Sequence, residues 1–270
     1  MILELVNTKY GDYMRIFTCK DKYEDMMTCI YDAWEWALQN GHDNLILRKE
    51  PIKQYSLFDE YVHIEGDEEK ALKVTDSIRR KISDDAYISV YYATLSREED
   101  ALDTIYRFLQ LGFKVGRNVT NMLTEQSVLR MMELRRRVGN EYHSFREFLR
   151  FNSIDGRVFV AHFEPKNDVT YLVARHFSNR MPSENFMIID DNRRLSVVHP
   201  KNQEMYIRYL NEDEINLMKK TEEKKDKYED MWQDFFNTIA IKERENYKCQ
   251  RNHLPLWMRK HMVELGKNTV

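Results

Sequence analysis

Residues 158–191 read VFVAHFEPKNDVTYLVARHFSNRMPSENFMIIDD, and the spacing of their apolar side chains changes twice within this stretch. Val158–Phe163 and Phe186–Asp190 have the patterns of strands, whereas Asp168–Asn179 has the three- and four-residue spacing of a helix. Three further strand candidates flank the stretch, at Leu149–Ser153, Leu195–Val198 and Met205–Leu210. Of the four connections, only the one through Asp168–Asn179 is long enough for a crossover helix. The sequence therefore predicts one mainly antiparallel sheet of about five strands, with that helix packed on a face.

The chain before this sheet is predicted to be mostly helical. Helical spacing covers most of the N-terminal half, and two short strands are predicted there, at Tyr13–Thr18 and Tyr61–Ile64. One helix opens at Ser96 and is expected to end at Gly112, because glycine is common just beyond a helix C-terminus.

Helical spacing returns at the C-terminal end, over Tyr228–Ile239 and around Pro255–Leu265. The expected fold is therefore α+β, with a helical N-terminal half, a central sheet covered by helices and a helical C-terminus. We expect a mixed, mostly helical region at residues 1–112 and an α+β core domain at residues 113–270. A single continuous domain is the alternative.

Composition is typical of a folded, helix-rich protein and excludes several classes. Apolar residues make up 42% of the chain, which has only 8 Gly and 5 Pro, so low-complexity and collagen-like proteins are excluded. Neither GxGxxG nor GxxxxGK[ST] occurs, which excludes the glycine-rich phosphate loops. The 3 cysteines form no CxxC pair and are too few and scattered for an iron–sulfur cluster held by this chain alone. We expect no cofactor.

Cysteine usage and hydropathy also predict a compartment. An odd, sparse set of cysteines is typical of a reducing environment. No signal peptide is recognisable in Met1–Tyr10, and no run of about 18 apolar residues occurs. These features predict a cytoplasmic protein without membrane contact.

The net charge of −3 is the sum of an acidic N-terminal part and a basic C-terminal part. Residues 1–106 carry a net −9 and residues 107–270 a net +6. Such a distribution suits contact with nucleic acid or with an acidic partner, although a mixed solvated surface explains it equally well. The candidate phosphate-binding residues are Arg117, Arg130, Arg136, Arg150, Arg180 and Arg193.

His176 is the residue that the pattern singles out most specifically. It follows Val169, Leu172 and Val173 at helical spacing, so its imidazole is expected to face the sheet. A buried imidazole needs hydrogen-bond partners, and the candidates are the carboxylates of Glu164 and Asp190 or backbone carbonyls. A satisfied core histidine is the alternative interpretation.

A pocket around His176 is the candidate catalytic site. His176, Asp190 and Glu164 are the candidate catalytic residues, because imidazole and carboxylate groups can carry protons. Arg180 lies one helical turn beyond His176 and could hold an anion beside it. Asp190 has a plainer interpretation, as the ion-pair partner of Arg193.

A metal site is not predicted. His162-Phe163-Glu164 has the H-x-E form found in zinc deaminases, but the P-C-x-x-C motif that those enzymes require does not follow it. His162 and Glu164 alone would supply two ligands, whereas catalytic zinc usually has three.

Six motifs from residue 116 onward occur in the order seen in one known family. They are Gly116-Arg117-x-Val119, Arg150-Phe151, Phe163-Glu164-Pro165-x-Asn167, His176-Phe177-x-x-Arg180, Ile188-x-Asp190-x-x-Arg193 and Trp232-x-x-Phe235-Phe236-x-x-Ile239-Ala240-Ile241-x-x-Arg244-x-Asn246. The chain resembles the bacterial "probable DNA metabolism" proteins of unknown function, which are encoded beside a proposed DNA-repair radical-SAM enzyme. The same domain is found fused to family-4-type uracil-DNA glycosylases. Two positions depart from the family pattern: Phe186 replaces the expected tryptophan, and Arg194 replaces a glycine.

The resemblance implies a setting in DNA metabolism or repair but no reaction. The leading hypothesis is an accessory protein that binds nucleic acid and works with a radical-SAM partner enzyme. The alternative is a nucleic-acid-processing hydrolase or glycosylase with a pocket of His176, Asp190 and Arg180. A second alternative is a protein-interaction subunit without DNA contact. Whether the protein is an enzyme is left open by these residues.

Overall fold

The computed structural model describes residues 14–154, 156–215, 227–262 and 264. The chain forms two compact units, Met1–Gly139 and Asn140–Val270. The boundary between them falls within helix α5 (Gln126–Phe148), whereas the boundary expected from the sequence, after residue 112, lies inside the first unit. Residues 1–10, which show no recognisable signal peptide, lie outside the described part. So do Tyr13 and Leu265, each at the end of a predicted element.

Over residues 14–139, unit 1 contains a parallel three-stranded sheet, four α-helices that lie wholly within it and a 3-10 helix at Gly116–Asn121. The strands are β1 (Arg15–Cys19), β2 (Leu45–Lys49) and β3 (Glu60–Ile64), in the order β2-β1-β3. The helices are α1 (Tyr23–Asn40), α2 (Glu68–Lys81), α3 (Asp84–Thr94) and α4 (Ala101–Val115). The sequence predicted β1 and β3 approximately but missed β2, whose apolar run is only three residues long before Arg48 and Lys49.

The predicted end of α4 at Gly112 is wrong. The helix continues to Val115 and ends at Gly116, which has a left-handed φ of 67°. Gly112 instead allows a close approach within the core, because a Cβ atom there would lie 2.7 Å from Cδ1 of Ile82. A glycine needed for packing therefore resembled a helix stop in the sequence.

Unit 2 contains the predicted five-stranded sheet. Its strands are β4 (Asn152–Ile154), β5 (Val158–Phe163), β6 (Phe186–Asp190), β7 (Leu195–His199) and β8 (Tyr206–Tyr209). The strands lie in chain order, and three of the four pairs are antiparallel. The exception is the parallel pair β5–β6, which the crossover helix α6 (Thr170–Arg180) connects. These features confirm the α+β class and the mainly antiparallel sheet.

The C-terminal part of unit 2 is helical, as expected. The elements are α7 (Lys227–Ile239), α8 (Tyr247–His253) and two short 3-10 helices at Lys242–Arg244 and Leu256–His261. The second 3-10 helix contacts strand β5. Among the described residues, no helix combines the length and hydropathy needed to cross a membrane.

Candidate functional site

Asp190 ends β6 as a fully buried carboxylate held by three hydrogen bonds. Oδ2 accepts a bond of 2.8 Å from the Thr170 hydroxyl, at the start of α6, and one of 3.0 Å from Nη1 of Arg193. Oδ1 accepts a bond of 3.0 Å from the backbone N–H of Arg193. Asp190 therefore ties the start of α6 to the turn between β6 and β7.

Arg193 and Glu141 extend this network to the turn after β5. Arg193 donates from Nη1 to the carbonyl of Pro165 and from Nη2 to that of Lys166. Glu141, a buried residue of α5, accepts bonds from the backbone N–H groups of Lys166 and Asn167 and from the side-chain amide of Asn167. The motif Glu164-Pro165-x-Asn167 thus forms a turn fixed from both sides.

The residue that follows Arg193 adopts an unusual backbone conformation. Arg194 has a φ of 54°, in the left-handed region that glycine enters most readily. Arg194 thus adopts a backbone conformation that a glycine at this position would enter more readily.

His176 does not have the environment predicted for it. Its imidazole is half-buried, lies edge-on to Phe177 at 5.2 Å and makes no hydrogen bond to any residue that the structure describes. The buried stripe of α6 consists of Thr170, Val173, Ala174 and Phe177. This stripe has the predicted spacing but is shifted by one residue, or about 100° around the helix, so His176 lies at its edge.

The three predicted catalytic residues bond to different partners and not to one another. Asp190 is bonded to Thr170 and Arg193, while Glu164 is bonded to Lys260. Neither carboxylate bonds to His176, and no backbone carbonyl of a described residue does so either, which leaves none of the candidate partners at this imidazole. A catalytic role for any of the three residues stays a prediction.

A different group of side chains meets at the edge of the sheet. Glu164 follows β5 and Asp191 follows β6, so the parallel pairing places both at the same edge, where backbone N–H of Asp191 bonds to the carbonyl of Phe163. His261 ends the 3-10 helix that contacts β5. One potential ligand atom from each of these three residues lies within 4.8 Å of the others. We call Glu164, Asp191 and His261 the carboxylate–imidazole cluster.

The cluster has a definite hydrogen-bonding pattern. Nδ1 of the buried His162 lies 3.2 Å from both carboxylate oxygens of Asp191 and donates to them. The rings of His162 and His261 stack at 6.3 Å. The exposed ammonium group of Lys260 donates to Oε1 of Glu164. Carboxylates that bind metal ions are themselves commonly held by hydrogen bonds from neighbouring residues.

His261 is suited to act as a ligand. Burial lowers the pKa of its imidazole below the ordinary value, more than the nearby carboxylates of Asp191 and Glu164 raise it. The ring is therefore neutral at pH 7. Its Nε2 atom is buried without a hydrogen-bond partner among the described residues and lies 3.9 Å from an oxygen of each carboxylate.

Three of the predicted phosphate-binding arginines are engaged by carboxylates. Arg150 donates to Glu264, and Arg193 donates to Asp190. Arg130 makes a two-pronged bond to Asp100, with distances of 2.7 and 2.9 Å, and also contacts two glutamates. The Arg130 bond lowers the pKa of Asp100. The prediction that Arg130 is free to meet phosphate is therefore wrong.

The other three predicted arginines are exposed. Arg117 and Arg136 lie in unit 1 and Arg180 in unit 2, and none of them makes an ion pair with a described residue. In unit 2 the exposed Arg146 of α5 and Arg180 both lie near enough to His176 to lower the pKa of its imidazole, an effect to which burial contributes most. We call Arg146, His176 and Arg180 the basic patch.

Two larger cavities lie away from the carboxylate–imidazole cluster and from the basic patch. A surface cavity of about 460 Å³ in unit 1 is lined mainly by apolar residues of α1 and α2, with Phe113. A more open one of about 740 Å³ surrounds the Arg130 ion pairs. A small cavity of about 10 Å³ adjoins the cluster, lined in part by His162, Glu164 and His261. Neither larger cavity holds the side chains that carry the chemistry discussed here.

Sequence reasoning missed the cluster because its members come from three separate segments. His162 and Glu164 were identified as possible ligands, and Asp191 was adjacent to a predicted site residue. His261 gave no local signal, since it lies in a short C-terminal 3-10 helix far along the chain. Only the parallel pairing of β5 with β6 could have drawn attention to Asp191 as a neighbour of Glu164.

Comparison with known proteins gives a family without a described activity. None of the curated proteins compared with the chain matches it. Residues 99–264 match the sequence profile of DUF4130, a domain of unknown function, and this match covers more than half of the chain. It includes the parts of unit 2 that hold the basic patch and the carboxylate–imidazole cluster. The chain belongs to the uncharacterised DUF4130 family.

Proposed function

We propose that the protein is an accessory factor of DNA metabolism that binds nucleic acid through the basic patch of unit 2 and works with a radical-SAM partner enzyme. The observation that carries the proposal is the grouping of two exposed arginines, Arg146 and Arg180, around a half-buried imidazole. The family resemblance supports the DNA setting and the partner.

The patch has the properties expected of a phosphate-binding surface. Neither Arg146 nor Arg180 makes an ion pair with a described residue, so no carboxylate in the described part of the chain neutralises their charges. Arg146 also stacks over the ring of Tyr142 at 5.4 Å, which limits its motion. Guanidinium groups in this state can each donate two hydrogen bonds to one phosphate group.

Reversing the charge of the patch should weaken DNA binding strongly. We expect the double variant Arg146→Glu/Arg180→Glu to bind duplex DNA at least tenfold more weakly than wild type at low salt, because attraction of two arginines to phosphate is replaced by repulsion. The slope of log affinity against log salt should also become shallower by about 1 for each arginine that no longer binds a phosphate group. Fluorescence anisotropy with labelled single- and double-stranded DNA measures both quantities.

Arg251→Glu is the matched control, since Arg251 is an exposed arginine of the same unit in helix α8. Its affinity should stay within about twofold of wild type. Equal affinities for the double variant and wild type would contradict the proposal. So would wild-type binding no tighter than that of a neutral control protein. In either case the protein-interaction subunit becomes the better hypothesis.

DNA binding should strengthen as the pH falls from about 7.5 to about 6. In the free protein, burial together with Arg146 and Arg180 keeps the pKa of His176 below its ordinary value, so the ring is neutral at pH 7. A bound phosphate favours the protonated ring and raises this pKa, so binding takes up a proton and tightens at lower pH. We expect a several-fold gain that His176→Gln removes. Identical pH dependence in wild type and His176→Gln would argue against phosphate binding at this ring.

The radical-SAM partnership has its own test. Co-purification of the full chain with a radical-SAM protein of the kind encoded beside members of the resembled family should give a complex whose formation does not require Arg146 or Arg180. Absence of a complex at low salt, with both proteins folded, would remove the partner from the proposal and leave DNA binding to be judged by anisotropy.

The hydrolase or glycosylase alternative gains no support from the geometry. Its pocket requires His176, Asp190 and Arg180 to act together, but Asp190 is fully buried and bonded to Thr170 and Arg193. A carboxylate in that state is already used in holding the fold.

A further inference from the structure

The carboxylate–imidazole cluster has the composition and spacing of an ion-binding site. Nε2 of His261 lies 3.9 Å from Oε1 of Glu164 and from Oδ2 of Asp191. These distances are too long for hydrogen bonds. Neighbouring ligand atoms of a tetrahedral ion with bonds of about 2.0–2.2 Å are roughly 3.3–3.6 Å apart, so a shift of about 0.5 Å would bring these atoms onto a common ion. We propose that Glu164, Asp191 and His261 bind one divalent first-row transition-metal ion.

The ligand set selects the class of ion. One imidazole nitrogen with two carboxylate oxygens suits Zn²⁺, Fe²⁺ or Mn²⁺, whereas Mg²⁺ and Ca²⁺ prefer oxygen ligands alone. Three protein ligands leave at least one coordination position for water or a substrate group. His162 would act as a positioning residue, since its Nδ1–H holds both oxygens of Asp191 at 3.2 Å.

Two further observations point to a ligand at this place. The Nε2 atom of His261 is buried and lacks a hydrogen-bond partner among the described residues, although leaving such an atom unsatisfied is unfavourable. Beside it is the cavity of about 10 Å³, lined in part by His162, Glu164 and His261. That volume holds about one water-sized sphere, which is also the scale of a single ion.

Lys260 provides an internal competitor for the ion. Its ammonium group donates to the same Glu164 oxygen that would face the metal, and the lysine side chain is 58% exposed. A bound cation would displace this ammonium group into solvent. Removing the lysine charge should therefore tighten metal binding, whereas removing a ligand should weaken it.

Calorimetric titration of the metal-free full chain with Zn²⁺, Mn²⁺ and Mg²⁺ tests the proposal. We expect one Zn²⁺ per chain, with binding at least tenfold tighter than that of Mg²⁺. His261→Gln and Asp191→Asn should each weaken Zn²⁺ binding by tenfold or more, and Lys260→Gln should strengthen it several-fold. Zn²⁺ at about one hundred times its dissociation constant should raise the melting temperature by roughly 5–10 °C.

His253→Gln is the matched control, because His253 is an exposed histidine of the same unit. It should bind Zn²⁺ as wild type does. If His261→Gln proves unstable, Glu164→Gln removes a more exposed ligand and must show the same decrease in affinity. Unchanged Zn²⁺ affinity in both ligand variants, or Mg²⁺ binding as tight as Zn²⁺ binding, would overturn the proposal. The DNA titrations with the basic-patch variants are independent of either result.

Discussion

Replacing Asp190 by alanine is expected to lower the free energy of unfolding of unit 2 by about 3–5 kcal/mol. The substitution leaves the Thr170 hydroxyl and the Arg193 guanidinium without their common acceptor at a fully buried position. It also releases the backbone N–H of Arg193. Loss of the shared acceptor of a buried hydrogen-bond and salt-bridge network is among the few causes of losses this large.

Hydrogen exchange at backbone amides localises this effect to one unit. Protection of β5, β6 and α6 should fall, while that of β1–β3 in unit 1 serves as an internal reference. Asp190→Asn should cost nearly as much, because both carboxylate oxygens accept bonds and one side of the amide would be a donor facing an N–H group. Asp213→Ala, at an exposed acid, should change protection by no more than about 0.5 kcal/mol. Wild-type protection of β5 and β6 in Asp190→Ala would contradict the structural role given to this residue.

Replacing Glu141 by alanine is the second change with a large expected effect. Both carboxylate oxygens of Glu141 are used, Oε1 by the Lys166 N–H and Oε2 by the backbone and side chain of Asn167. We expect a loss of about 3 kcal/mol in the stability of unit 2, because charge-assisted bonds to a buried turn are removed together. Urea unfolding measures the free energy of unfolding, and hydrogen exchange at the backbone amides of α6 and β5 shows that the loss lies in unit 2.

Two further variants separate the bonding from the charge at this position. Glu141→Gln should lose nearly as much stability as Glu141→Ala, because one side of an amide is a donor and would face another N–H group. Glu147→Ala lies on the same helix at an exposed glutamate and is the control. A fully stable Glu141→Gln protein would show that a single acceptor oxygen suffices for the turn.

The sheet of unit 2 was predictable because its strands carry strong local patterns. Val158–Phe163 and Phe186–Asp190 have the bounds that the sequence predicted, and one long connection limited the parallel pairs to one. Unit 1 was harder to predict, since β2 has a short apolar run and Gly112 serves packing within a helix. The spacing of apolar residues therefore predicts helices and strands well only where packing does not place an unusual residue inside them.

The candidate site was less predictable because its chemistry depends on the rotation of α6 and on residues distant in the chain. A shift of one residue in the buried stripe of α6 moved His176 from the expected interior to a half-buried position. Asp190 was a candidate catalytic residue and Arg193 a candidate phosphate-binding residue, and the two together complete the hydrogen bonding of a turn. At strand ends, the structure was therefore needed to distinguish polar residues that hold the fold from polar residues that are available to a ligand.

The chain-order arrangement of the sheet has a consequence for synthesis. Each strand from β5 to β8 pairs with the strand made just before it, so the sheet can grow along one edge as the chain leaves the ribosome. Pairing between sequence neighbours also keeps loop-closure entropy low and favours fast folding. Glu164 and Asp191 reach their places with β5 and β6, whereas His261 is made after β8 and the C-terminal helices. Metal affinity of the nascent chain would therefore develop last, after the sheet is complete.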